Sequence, residues 1–167
     1  MKLLFNIKYW LSRILVYLFV LPKFGYGAEV GVWRAYNARL LYYLAHPKML
    51  WLIDNYKETK YSESEIEEMI IDVKHRISGK RMALVTRSSE EAAKMWPFNI
   101  DWIYIDGDHF DLYNDLTRWY NKIDPGGVIM GDDYSDTWWK VKKDLNQFCK
   151  ERGIKFNRLH CQWWICK

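Results

Sequence analysis

Asp101 to Tyr134 reads DWIYIDGDHFDLYNDLTRWYNKIDPGGVIMGDDY, and its three parts decide the fold. Trp102-Ile103-Tyr104-Ile105 is a short apolar run that stops at Asp106, the pattern of a buried parallel strand whose carboxyl end opens into a site. From His109 to Ile123, apolar residues (Phe110, Leu112, Tyr113, Leu116, Trp119, Tyr120, Ile123) recur at helical spacing and predict an amphipathic helix. Asp124-Pro125-Gly126-Gly127 is a turn signal, and Val128-Ile129-Met130 behind it predicts a second buried strand ending in Asp132-Asp133. Strand, crossover helix and strand of this length form a right-handed parallel unit. Both strands then deliver their acids to one edge of the sheet, where open α/β sheets bind ligands. Asp106, Asp108, His109, Asp132 and Asp133 are expected to converge there.

The flanking sequence repeats the alternation. Gly27 to Val32 reads as a strand running into a loop of small residues, and Asn37 to Leu44 as a helix stopped near Pro47. Met49 to Ile53 is a strand ending in Asp54. Ser62 with Glu65 is a capping box opening a helix to about Ile77. Met82 to Val85 is a strand, Glu90 to Trp96 a short helix, and Asp136 to Arg152 a long helix closed by Gly153. Lys155 to Leu159 and Trp163 to Lys167 suit a closing antiparallel pair. The expected fold is α/β: a doubly wound, mostly parallel, seven-stranded Rossmann-like sheet with a terminal antiparallel strand pair and an N-terminal helix. Residues 1–25 form the apolar helix and its linker, and 26–167 the main domain.

Composition narrows the function. With 167 residues, half of them hydrophobic and ten of them Trp, the chain has enough apolar surface for a full core. A net charge of +4 spread over scattered lysines and arginines argues against nucleic acid as a partner. The three cysteines, Cys149, Cys161 and Cys166, lack CxxC spacing and read as buried thiols of a reducing compartment, hence a cytoplasmic location.

The only stretch that could meet a membrane is residues 3–21, LLFNIKYWLSRILVYLFVL. Lys8 and Arg13 interrupt it, which argues against a spanning helix, and Leu-Pro-Lys-Phe follows instead of a cleavage site. On a helical wheel Lys2, Asn6 and Arg13 share one side, while Ile14 to Leu21 is apolar all round. Two readings stand: a helix packed on the domain or on a partner subunit, or one lying at a membrane surface.

Glu29, Gly31 and Ala35 form E-x-G-x-x-x-[G/A], a loop whose small residues let backbone approach a ligand at a helix N-terminus. A tight strand-to-helix turn explains that pattern equally well. Asp54, some twenty residues on, stands where an acid hydrogen-bonds ribose hydroxyls. Together they point to a nucleoside-bearing cofactor, either a dinucleotide or S-adenosylmethionine.

Ile105-Asp106-Gly107-Asp108-His109, then Pro125-Gly126-Gly127 and Gly131-Asp132-Asp133-Tyr134, resemble the small-molecule O-methyltransferases of the class I, S-adenosylmethionine-dependent superfamily. The likeness is to the branch that includes macrocin O-methyltransferase-like and cephalosporin-hydroxylase-like proteins. Glu29-Val30-Gly31-Val32-Trp33, Leu52-Ile53-Asp54 and Ser89-x-Glu91-Ala92-Ala93 fall in that family's order. The resemblance covers roughly Gly27 to Lys167, and departs from the pattern at Ala35, where the family usually has a third glycine.

The resemblance implies that Glu29, Gly31 and Trp33 line the methionine end and floor of the cofactor site, and that Asp54 holds the ribose. It places Arg87, Ser88 and Ser89 beside the adenine, and Asp106 at the cofactor as well as in a metal set. In metal-dependent members, acids matching Asp106, Asp132 and Asp133 hold a divalent cation, and an all-oxygen cluster suits Mg²⁺. Asp108, or less favoured His109, is expected to take the acceptor's proton, with His109 otherwise capping the next helix. Trp138 stands close enough to touch an acceptor.

The expected activity is O-methyl transfer, metal-assisted, to a hydroxyl of a sugar, glycan or other small metabolite. The alternatives are a non-catalytic methyltransferase-like module that binds cofactor or a partner, and an NAD-linked oxidoreductase, for which the G-x-G-x-x-G loop is missing. Expected partners are a small-molecule or glycan acceptor, a membrane surface met through residues 1–22, and a second copy in a homodimer.

Overall fold

The computed structural model describes residues 2–57 and 61–167; Met1, and the side chains of residues 2–7, among them Lys2 and Asn6 of the helical wheel, lie outside the described set. The elements are α1 (Lys2–Phe19), β1 (Tyr26–Val30), α2 (Tyr36–Ala45), β2 (Met49–Ile53), α3 (Glu63–Ile77), β3 (Met82–Val85), α4 (Ser89–Met95), β4 (Ile100–Ile105), α5 (Leu112–Tyr120), β5 (Ile123–Gly131), α6 (Trp139–Arg152), β6 (Asn157–Leu159) and β7 (Gln162–Cys166). Seven strands run in the order β3-β2-β1-β4-β5-β7-β6, the first five parallel. β7 is antiparallel to both β5 and β6. The order reverses between β1 and β4, so the carboxyl ends of these strands frame the crevice where such sheets hold ligands.

Local chemistry sets most boundaries. Ser62 and Glu65 make the reciprocal capping box expected of them, and Ser88 with Glu91 makes a second one that starts α4 one residue early. Gly153 closes α6 in the left-handed region. The expected turn at Asp124-Pro125-Gly126-Gly127 is instead part of β5, and α5 is correspondingly shorter than predicted. Pro125 is tolerated because the β4–β5 register slips there. Gly126 bonds to Lys167 on the other side, N–H to carbonyl at 2.7 Å.

Two apolar layers cover the sheet. On one face Leu50, Trp102, Tyr104 and Met130 pack with α1, α2 and α3; on the other Ile103, Ile129, Trp163 and Ile165 pack with α4, α5 and α6. Val16, Tyr17 and Leu21 enter the first core, and the Tyr17 ring meets Tyr104 edge-on at 5.5 Å. The inner face of α1 therefore packs on the domain. No described helix is long and apolar enough to cross a membrane. Cys149 and Cys161 are buried, but Cys166 is exposed, because β7 ends where side chains alternate outward.

Candidate active site

The carboxyl edge of the sheet is unusually strained. Trp33, Ala35, Tyr56 and Asp133 all have positive φ without being glycine, and all follow strands β1, β2 or β5 at that edge. Such conformations persist only where surrounding structure enforces them, and they gather at functional sites. Ala35 is the expected third glycine, and at φ 57° it carries the cost a glycine would avoid. Gly31, at φ 84°, is needed for another reason. A Cβ there would stand 2.1 Å from the Asp106 carbonyl oxygen, so this glycine lets β1 and β4 close on each other rather than admitting a ligand.

On the cofactor side, Glu29 is 1 % exposed. Asn37 Nδ2 donates to its Oε1 at 2.9 Å, while Oε2 has no hydrogen-bond partner among the described residues. Burial pushes this carboxyl up to about 8. A buried, half-satisfied carboxyl at the sheet's switch point fits the ammonium end of an amino-acid-bearing cofactor. Asp54 accepts the Val32 and Trp33 N–H groups at 2.8 and 3.0 Å and the Tyr56 N–H at 2.8 Å. It fastens the β1 loop to β2 and keeps one of its four lone-pair sites for a hydroxyl. The Trp33 indole is exposed and edge-on to Tyr36.

The adenine set divides. Arg87 is exposed at the edge. Ser88 is occupied in capping α4, and the Ser89 hydroxyl turns inward, donating to Asp115 at 2.5 Å and accepting from Trp119 Nε1 at 2.9 Å. Ser89 thus ties α4 to α5.

On the other side of the crevice, Asp108 and His109 differ in their contacts. Asp108 is exposed, and its Oδ1 accepts the Phe110 N–H at 2.8 Å, holding the turn into α5. His109 does no capping. Its Nε2 lies 2.6 Å from Asp133 Oδ2 and 3.8 Å from Asp106, and its ring stacks on Trp138 at 4.1 Å. The bond to Asp133 raises the His109 pKa against the opposing effect of burial. Asp106 is raised to about 7, first by desolvation and then by the charge of Asp132.

Asp132 is where the structure departs furthest from expectation. Its Oδ2 is bonded by the Arg13 guanidinium and by the Tyr9 hydroxyl, both from α1. Its Oδ1 takes the Asp133 N–H at 2.7 Å. Arg13 also reaches Asn37 Oδ1 at 3.4 Å, and Tyr17 donates to the same oxygen at 2.8 Å. One network therefore joins α1, Glu29 and Asp132. Sequence reasoning missed Arg13, Tyr9 and Asn37; the one signal was a lone arginine breaking an apolar helix.

The expected Mg²⁺ ligand set of Asp106, Asp132 and Asp133 does not fit, because the buried Asp132 carboxylate is already paired with the Arg13 guanidinium and bonded at both oxygens. Among the described residues the grouping with metal-ligand proximity is Asp106, His109 and Asp133, whose ligand atoms lie within 4.8 Å of one another. That set mixes nitrogen with oxygen, unlike the hard oxygen shell Mg²⁺ prefers, and two of its members are already bonded to each other.

Comparison with known proteins places the chain in a family. The family described as a methyltransferase domain matches residues 28–134, more than half of the chain, and the protein belongs to that family. It is 35% identical over 105 residues to an uncharacterized protein of Acanthamoeba polyphaga mimivirus, a match covering 53% of this chain and 47% of the relative. The chain thus spans about half the length of that relative. Among solved structures, a candidate caffeoyl-CoA O-methyltransferase from Staphylococcus aureus superposes with a TM-score of 0.68 at 13% identity, over 94% of this chain and 81% of that one. An S-adenosylhomocysteine-bound methyltransferase from Podospora anserina gives 0.64 at 15% identity, over 84% and 70%. At these identities the two structures establish the shared fold.

Proposed function

We propose that the protein transfers the methyl group of S-adenosylmethionine to a hydroxyl of a small acceptor, a sugar, glycan or other metabolite, with His109 taking the proton. The observation that carries this reading is the Asp133–His109 pair beside Asp106 at the switch point of the sheet. With Asp133 accepting from Nε2, the neutral ring keeps its lone pair on Nδ1. Trp138 fixes the plane of the ring. Asp133 both selects the tautomer and stabilises the imidazolium that forms, as the acid does in other acid–histidine pairs.

When bound, S-adenosylmethionine would supply an electrophilic methyl group on a sulfonium. Glu29 Oε2 would accept from its ammonium group, and the free lone pair of Asp54 from a ribose hydroxyl. The sulfonium would give up its methyl to the acceptor oxygen and keep the C–S electron pair, and His109 would take the hydroxyl proton and pass it to solvent. Most of the rate would come from holding the two reactants in line.

Calorimetric titration of S-adenosylhomocysteine into the purified protein tests the reading. Micromolar binding that weakens in Glu29→Ala supports it, and no binding at all sinks it in favour of a non-catalytic module. A second reading concerns the acceptor's location. Trp10, Leu11, Leu18 and Phe19 of α1 are exposed, which favours contact with a membrane surface and an acceptor carried there.

A further inference from the structure

We infer that Arg13 is the resident cation of the acceptor site, and that this protein works there without a divalent metal. The inference rests on the methyltransferase reading and deepens it. Arg13 sits in an otherwise apolar stretch of α1 and is only 6 % exposed. Burying a guanidinium is costly unless a well-placed anion meets it, so its position at Asp132 is not an accident of packing. Asp132 is itself 3 % exposed and has both oxygens engaged.

A cation at the expected oxygen set would have to compete with the guanidinium for the Asp132 carboxylate and would set two positive charges against each other in the interior. At Asp133 it would meet a carboxylate whose Oδ2 is already bonded to His109. Arg13 already supplies what a metal would bring to this edge: a permanent positive charge among Asp106, Asp132 and Asp133, in a group that cannot lose its proton. Its second contact, through Asn37 to Glu29, sets that charge at a fixed distance from the cofactor carboxyl. Arg13 is thus a positioning residue, acting on the acceptor site through Asp132.

The test is a Mn²⁺ titration, read by electron paramagnetic resonance, of the full chain as wild type, Arg13→Gln and the Arg13→Gln/Asp132→Asn double variant, with S-adenosylhomocysteine calorimetry in EDTA and in Mg²⁺ alongside. We expect no Mn²⁺ uptake by the wild type, and the same S-adenosylhomocysteine affinity in EDTA and in Mg²⁺. In Arg13→Gln, Mn²⁺ affinity should rise by about tenfold or more and be lost again in the Arg13→Gln/Asp132→Asn double variant. Stoichiometric Mn²⁺ binding by the wild type, at whichever carboxylates, overturns the inference, as does cofactor binding that needs Mg²⁺. Should Arg13→Gln fail to fold, the wild-type arms decide alone. Failure of S-adenosylhomocysteine to bind under any condition would remove the methyltransferase reading while leaving the Mn²⁺ result to report on Arg13.

Discussion

Arg13 and Asp132 lie 119 residues apart in sequence and form a buried ion pair at the carboxyl edge of the sheet. The pair fastens α1 to the end of β5 and places a residue from the start of the chain inside the candidate site. Removing one member leaves the other charged and unpaired in the interior. Arg13→Met is expected to lose about 3–5 kcal/mol of unfolding free energy. Arg13→Met combined with Asp132→Asn should lose clearly less than the two single changes together. Urea unfolding of the four proteins in a double-mutant cycle measures both.

Glu29 predicts proton-coupled binding. Its carboxyl is held up to about 8 by burial, so it is mainly protonated at neutral pH. A cofactor ammonium beside it favours the ionised form and should expel that proton. At pH 7 the binding enthalpy of S-adenosylhomocysteine should therefore vary with buffer ionisation enthalpy, with release approaching about one proton, and the dependence should fade above pH 9 and vanish in Glu29→Gln. The same raised pKa acts on stability with a definite sign. The folded state holds a proton that the unfolded chain releases near pH 4.5. Stability from this group is thus full below pH 4.5 and is lost as pH rises to about 8, at a slope of about 1.4 kcal/mol per pH unit.

His109 and Asp108 should separate cleanly in kinetics. His109→Ala should lower kcat by about 10²–10⁴ with S-adenosylhomocysteine affinity kept, whereas Asp108→Asn should leave kcat within about tenfold of the wild type. The reactive imidazole is the neutral one, so the rate should climb as pH rises through the folded His109 pKa, which Asp133 holds above the ordinary 6.5. Asp133→Asn should move that limb to lower pH. A limb that stays in place would show that Asp133 does not set the base.

Ala35 bears a strain its neighbours enforce. It is fully buried at φ 57°. Ala35→Gly removes a left-handed strain of about 1–2 kcal/mol but also a buried methyl worth about 0.8 kcal/mol and adds unfolded-chain entropy. Thermal unfolding should find Ala35→Gly within about 1 kcal/mol of the wild type. Ala35→Val, whose β-branch opposes positive φ, should be the damaging change.

The outer face of α1 can be tested without disturbing its inner face. Deleting residues 1–22 would also take Val16, Tyr17 and Leu21 out of the core, so loss of membrane partitioning after truncation would be ambiguous. Leu11→Ser with Phe19→Ser changes exposed positions only. If the face meets lipid, flotation with anionic vesicles should fall several-fold in the double variant at unchanged melting temperature. Equal flotation would end the membrane reading.

Much of this was legible in the residues. The apolar runs that stop at Asp54, Asp106 and Asp132-Asp133, with helical spacing between them, determined a doubly wound sheet and the edge at which its acids collect, because strand burial and crossover handedness are local and topological rules. The Ser62–Glu65 cap and the left-handed stop at Gly153 were equally local. Asp124-Pro125-Gly126-Gly127 misled because a proline and two glycines mark a bulge as readily as a turn, and only the Lys167 backbone on the far side decides which.

What each acid does was a tertiary matter. Asp54, Asp106, Asp108, Asp132 and Asp133 look alike as residues at strand ends. They differ in their partners: backbone amides for Asp54, the turn into α5 for Asp108, Arg13 for Asp132, His109 for Asp133. The sequence by itself determined the sheet, its binding edge and the supply of carboxylates. Only the tertiary structure decided that a guanidinium from α1 is set among them, because burial makes the energy of a charge depend on the group a few ångströms away, and that neighbour comes from the far end of the chain.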